Sequence, residues 1–165
     1  MPALAARRRL SVAIPLLIVT ALLLSVAFAP HADARSRRHH KINHAVNVAI
    51  NQIGDHYRYG AAGPRRFDCS GLIYFAYHKR TNLWMPRSSA AQYRRVRHIH
   101  KRHLRHGDLV FFHNRSGHVY HVGIYMYTNR HGRRVILHSP RPGLRVHRQK
   151  IWTRSWYAGT LRPRR

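Results

Sequence analysis

The chain has 165 residues, enough for one domain, and its 44% hydrophobic content is ordinary for a protein that buries a core. Its 31 Lys and Arg stand against 4 Asp and no Glu, a formal net charge of +27, which favours polyanionic partners such as nucleic acid, anionic lipid or an anionic cell wall. A single cysteine, Cys69, excludes an intrachain disulfide, so stability must come from the core.

The chain opens with "MPALAARRRL", a basic stretch carrying Arg7, Arg8 and Arg9. An apolar run follows over residues 10–29, then the small-residue patterns Ala27-Phe28-Ala29 and Ala32-Asp33-Ala34. This is the layout of a secretory signal peptide over residues 1–34, with cleavage expected after Ala34. An uncleaved anchor is the alternative, because the run approaches the ~20 residues that span a bilayer. No cysteine lies near residue 30, which excludes lipid attachment there. Cleavage would leave 28 Lys and Arg against 3 Asp, or +25. The mature protein is therefore expected outside the cytoplasm, in the periplasm or secreted to the cell wall.

Residues 35–41, "RSRRHHK", contain no apolar residue and read as a flexible basic linker before a domain over 42–165. "INHAVNVAINQIG" then places Ile42, Ala45, Val46, Ala49, Ile50 and Ile53 at offsets 0, 3, 4, 7, 8 and 11. That spacing predicts an amphipathic helix stopped by Gly54. A Gly/Pro-rich loop, "YRYGAAGPRR", leads into "CSGLIYFAYHKR", a second helix with Asp68 placed as its N-cap. "MPRSSAAQYRRV" reads as a short helix or turn. "RHGDLVFF", "HVGIYMYT" and "RRVILHSP" are strand-like runs rich in Val, Ile, Phe and Tyr, and "GLRVHRQ" is a candidate further strand. Helices first and strands afterwards predict an α+β domain with helices on a central antiparallel sheet.

In that arrangement Cys69 occupies the first turn of a helix, where free N–H groups and the helix dipole favour thiolate over thiol. A small buried cysteine is the competing reading. The small neighbours Ser70 and Gly71 favour function, because they allow a substrate to approach closely. A nucleophilic cysteine needs a base, and the base needs an orienting group. Most of the sixteen histidines lie in polar basic runs and read as solvated surface. His121, heading "HVGIYMY", and His138, ending "VILH", are the two on strand-like segments. His113 and His118 are near enough in sequence to be decoys. A Cys, a His and a polar residue that fixes the imidazole form the thiol-peptidase arrangement.

At these residues the chain resembles the NlpC/P60 family of papain-like cysteine peptidases. "YRYG…GPRRFDCSGLIYFAY", "MPRSSAAQ", "GDLVFF", "HVGIY" and "ILHSP" follow the family's motifs in order, over roughly residues 42–163. Trp152 to Arg162 is similar to the family's closing strand. His56, Ala61, Arg95 and His106 depart from the usual pattern, and none of them is a catalytic group. The resemblance implies a papain-like fold with the nucleophile at a helix N-terminus. It further implies cleavage of peptidoglycan peptide stems, at the D-γ-glutamyl–diaminopimelate bond or a close relative. By motif, Cys69 becomes the nucleophile, His121 the base and His138 its orienting partner, with Tyr57, Asp68 and Ser70 as substrate-binding residues. The Cys69 backbone N–H would help bind the oxyanion. No cofactor or metal is expected, since no histidine shows tight ligand spacing.

The expected partners are stem peptides, together with anionic wall polymers or lipid head groups for the basic surface. No specific nucleic acid is expected, and the protein is expected to be a monomer. A catalytically silent wall-binding module and an amidase or acyltransferase on the same scaffold are the rival readings. A cationic nucleic-acid or membrane-active protein would account for the charge, but not for the ordered Cys and His motifs.

Overall fold

The structure, a computed structural model, describes residues 33–163. The leader expected over 1–34 lies outside the described residues, apart from Asp33 and Ala34. The chain divides after Arg37 into two units, the second running from Arg38 to Arg165. In the first unit residues 33–37 are helical. In the second, residues 38–50 form helix α1. The basic stretch 35–41, expected as a linker, is thus helical along its length. It contains no Gly or Pro, and Arg and Lys are good helix formers.

Helix α1 buries the expected stripe. Ile42, Ala45, Val46 and Ala49 are all fully enclosed, and each large apolar side chain so buried contributes about 1.5–3 kcal/mol. The helix ends at residue 50 rather than at Gly54, and Ile53 falls off the stripe, 43% exposed. The cause is tertiary. Gly54, at φ 98°, donates its N–H to Val146 O, and Val146 N–H donates to Asp55 O, drawing the chain out of the helix. Two short parallel strands follow, β1 His56–Tyr57 and β2 Arg66–Phe67. Helix α2, Cys69–Ile73, widens into a π-helical turn over Tyr74–Lys79. Helix α3 covers Ser89–Arg95, capped by the Ser88 hydroxyl.

The remaining strands are β3 Arg97–Ile99, β4 Leu109–His113, β5 Val119–Thr128, β6 Arg134–His138, β7 His147–Lys150 and β8 Trp156–Thr160. They form one antiparallel sheet in the order β3-β8-β4-β5-β6-β7. The α+β expectation therefore matches the observed architecture. Alternation gives the sheet two apolar faces. Leu109, Phe111, Val122, Ile124 and Leu137 pack with α1 and α2 in the main core. Val110, Phe112, Tyr125, Ile136 and Trp156 form a second cluster on the other face.

Candidate active site

The turn that carries Cys69 is built around Asp68. In an extended conformation before the helix, Asp68 accepts from Gly71 N–H at 2.6 Å and from Gly60 N–H at 2.8 Å. Arg87 donates to both carboxylate oxygens, at 2.9 and 2.6 Å, and also to Ser70 Oγ and Ala61 O. The Ser70 hydroxyl donates back to Asp68 at 3.2 Å. Asp68 and Ser70, expected among the substrate-binding residues, are each 7% exposed, and their polar atoms hold this turn together. Gly71 is required by close packing: a Cβ there would lie 2.0 Å from Ala61 O. Ser139, in the "ILHSP" stretch, donates to Phe67 O at 2.7 Å and ties the end of β6 to the same turn.

The two selected histidines meet. His121 Nε2 lies 2.8 Å from His138 Nδ1, and both rings are buried. Adjacent antiparallel strands β5 and β6 bring them together, and Gly123 leaves room, since a Cβ there would crowd Ile136 and His138. Trp152 stacks on Phe112 at 4.2 Å between ring centres and lies within 6 Å of both imidazoles. Burial lowers His121 to about 4. Burial, then the neighbouring His121 and His147, lowers His138 to about 3. Both rings are neutral at neutral pH. His113 belongs elsewhere: it stacks on Tyr157 at 4.1 Å. The His118 backbone N–H is engaged by Asn114 in the β4–β5 turn.

Cys69 is half-buried and packs on the helix side of the sheet, whereas His121 pairs with Phe112 and shares the opposite face. The backbone of Val122, next to His121 on β5, lies near enough to the sulfur to favour its thiolate. Among the described residues no hydrogen bond joins the thiol to either imidazole. Burial pushes the Cys69 thiol up, against the lowering pull of the Val122 and Ser70 hydrogen bonds. The expected thiolate is therefore corrected to a resting thiol. Desolvation of the sulfur is the largest influence on it. Tyr57 lies close enough to Cys69 and Asp68 to be influenced by both. Its phenol is raised, first by burial and then by those two groups.

With a thiol and two neutral imidazoles at rest, the site holds no preformed ion pair. Among the described residues no group of three or more His, Cys, Asp or Glu converges as metal ligands would. Sequence reading missed Arg87, Gln149 and Trp152. Arg87 had a signal: the carboxylate of Asp68 beside a buried cysteine requires a cation, and the "MPRSS" motif supplies one. Gln149 and Trp152 had none, because their placement depends on strand register and a loop.

Residues 54–165 match the model of the NlpC/P60 family. The murein DD-endopeptidase MepH of Escherichia coli K12 is 36% identical over 133 residues, covering 74% of this chain and 47% of the relative. A probable endopeptidase of the same organism, YafL, is 33% identical over 125 residues, 73% of this chain and 48% of the relative. The chain thus spans about half the length of these two curated relatives. Among solved structures, Rv1477 of Mycobacterium tuberculosis, a hypothetical invasion protein, superimposes with a TM-score of 0.64 at 26% identity. That match covers 76% of this chain and 64% of the other. Motifs, structural superposition and family match agree, and the chain belongs to the NlpC/P60 family.

Proposed function

We propose that this chain is a cysteine endopeptidase that hydrolyses peptide stems of peptidoglycan outside the cytoplasm. Cys69 is the nucleophile, His121 the general base and His138 the group that orients His121, while Tyr57 lines the approach. The observation that carries this reading is the buried 2.8 Å His121–His138 contact at the strand end against which the Cys69 turn packs. A substrate carbonyl enters, His121 takes the thiol proton, and the sulfur attacks to form a tetrahedral oxyanion. The Cys69 backbone N–H helps stabilise it, a contribution of ~3–4 kcal/mol per donor in comparable sites. His121 then protonates the leaving amine, and water releases the acyl-enzyme.

The bond is the D-γ-glutamyl–diaminopimelate link or a relative of it. The name of MepH, a DD-endopeptidase, adds the D,D cross-link as the second candidate. The basic surface is the docking face for anionic wall polymers or lipid head groups, with the protein acting as a monomer. Asp68 and Asp108 each offset one arginine, Arg87 and Arg162, out of the 28 Lys and Arg beyond residue 34.

Incubation of the protein and its Cys69→Ala variant with defined stem peptides, read by mass spectrometry, tests the proposal. Cleavage by the first and not the second is expected, and the product masses name the bond. Cleavage by both would refute the nucleophile. Cleavage by neither, with retained binding to wall sacculi, would make this a silent binding module.

A further inference from the structure

Strand β7 brings to the histidine pair a third polar side chain, with consequences for where each proton sits. His138 Nε2 lies 2.9 Å from Gln149 Oε1, while His138 Nδ1 lies 2.8 Å from His121 Nε2. Gln149 sits across from Ile136, and His138 across from His147, so all four share one face of the sheet. The diagonal reach from Gln149 to His138 is within the span of a glutamine side chain. His147 is the other titratable group facing His138, with ring centres 5.1 Å apart. Its Nδ1 is engaged by Arg145 O instead. Arg148 and Lys150 alternate to the opposite face. Trp152 and Phe112 close the apolar side of the cluster.

A neutral imidazole has one N–H and one lone pair. The Gln149 oxygen only accepts, so His138 carries its proton at Nε2 and presents a lone pair at Nδ1. His121 must then donate from Nε2 to that lone pair. The nitrogen left over, His121 Nδ1, is unprotonated. A donor in place of the Gln149 oxygen would reverse every step. His138 would donate from Nδ1, His121 would accept at Nε2, and its proton would move to Nδ1. The ring would then offer an N–H where a base needs a lone pair.

The geometry points to Gln149 as a positioning residue that sets the tautomers of the His138–His121 chain and so holds the basic lone pair at His121 Nδ1 for the Cys69 thiol. The inference rests on the reading of Cys69 and His121 as nucleophile and base. Gln149 touches no reacting atom, and it acts through two imidazoles in series. The sequence gives it no motif, but an amide there supplies an acceptor without placing a negative charge beside a buried neutral ring.

Three variants at one half-buried position of an edge strand separate this role from simple packing. Gln149→Met removes the acceptor at nearly constant size, Gln149→Glu keeps it, and Gln149→Lys replaces it with a donor. For stem-peptide cleavage, kcat/KM is expected to fall on the order of ten- to hundredfold in Gln149→Met, mostly through kcat. Gln149→Lys is expected to be worse. Gln149→Glu should recover activity to within a fewfold, with its acid limb moved to higher pH because a carboxylate stabilises the His138 cation. Nitrogen NMR of the imidazoles in the Cys69→Ala background reads the tautomers without any turnover. It should show the proton of His121 at Nε2 with Gln149 present and at Nδ1 in Gln149→Lys. Equal activity, equal pH profiles and an unchanged His121 tautomer across the three variants would overturn the inference while Cys69→Ala stays inactive. Persisting activity in Cys69→Ala would instead overturn the underlying reading of the nucleophile.

Discussion

Acid should destabilise this domain through two side chains in particular. His121 and His138 are 7% and 1% exposed, and burial brings them to about 4 and about 3, against 6.5 for a free imidazole. In the unfolded chain each ring takes up a proton as the pH falls through its free value. In the folded chain neither does until the pH nears its lowered value. The unfolded state therefore binds more protons across that interval, so the stability present above pH 6.5 is lost as the pH falls towards 4 and 3. For His121 alone, going from about pH 7 to about pH 4.5 removes about 2.4 kcal/mol by this linkage. His138 adds a loss of the same sign and similar size. Because the rings share a hydrogen bond, the first proton bound makes the second harder to bind, which keeps the folded pair neutral further into acid, and the pair together should lose up to about 5 kcal/mol. Against a total stability on the order of 5–15 kcal/mol, that is a large fraction.

Urea unfolding at the two pH values measures this, with a His121→Asn/His138→Gln variant as the reference. The surface histidines titrate in both proteins and cancel in the difference. The variant is expected to be less stable than the parent near neutrality, yet to lose up to about 5 kcal/mol less on acidification. Equal losses in parent and variant would refute the reasoning. Proton NMR of the parent gives the same answer without the variant, since either imidazole titrating above pH 6 would contradict a buried neutral pair.

Gly71→Ala should be the most disruptive small substitution near the cysteine. Its Cβ would meet backbone Ala61 O at 2.0 Å and Asp68 Oδ1 at 2.9 Å, so a thermal melt should show a loss of about 3 kcal/mol together with loss of cleavage. Arg87→Met strips the carboxylate of Asp68 of its bidentate partner. Arg87 is 37% exposed and water offsets part of the loss, so about 1–3 kcal/mol should vanish in urea titration, with kcat/KM falling as the Cys69 turn loosens. Trp152→Ala admits water to the imidazole pair. The His121 pKa should rise from about 4 towards 6.5, moving the acid limb of the rate profile up by on the order of one pH unit. Binding to wall sacculi should weaken steeply between about 0.1 M and 1 M salt, as the screening length shrinks from ~10 Å to ~3 Å. Salt-independent binding would remove the docking role of the basic surface.

What could be read from the sequence is what depends on local order. Ile42, Ala45, Val46 and Ala49 announce a buried helical face by spacing alone, and they are buried. Asp68 before a Cys-Ser-Gly run announces a cap, and its carboxylate accepts from Gly71 N–H. The pairing of His121 with His138 is partly legible because both lie on strand-like runs close in sequence, which pair as adjacent antiparallel strands. What failed depends on partners distant in sequence. Ile53 leaves the helical face because Val146, more than ninety residues later, takes the hydrogen bond of Gly54. The charge state of Cys69 is not legible, because a helix end is visible in sequence whereas the packing of α2 onto β5 is not. That packing desolvates the sulfur, and desolvation is the largest influence on its thiol. Gln149 was invisible for the same reason: it reaches His138 only once the β6–β7 register is fixed, and "VHRQK" shows that register to nobody. A site of this kind is therefore written twice. Its reacting groups lie in short motifs, and the groups that set their protonation lie in the register of neighbouring strands. Substitutions in the second set should leave the motifs intact and change the pH at which they work.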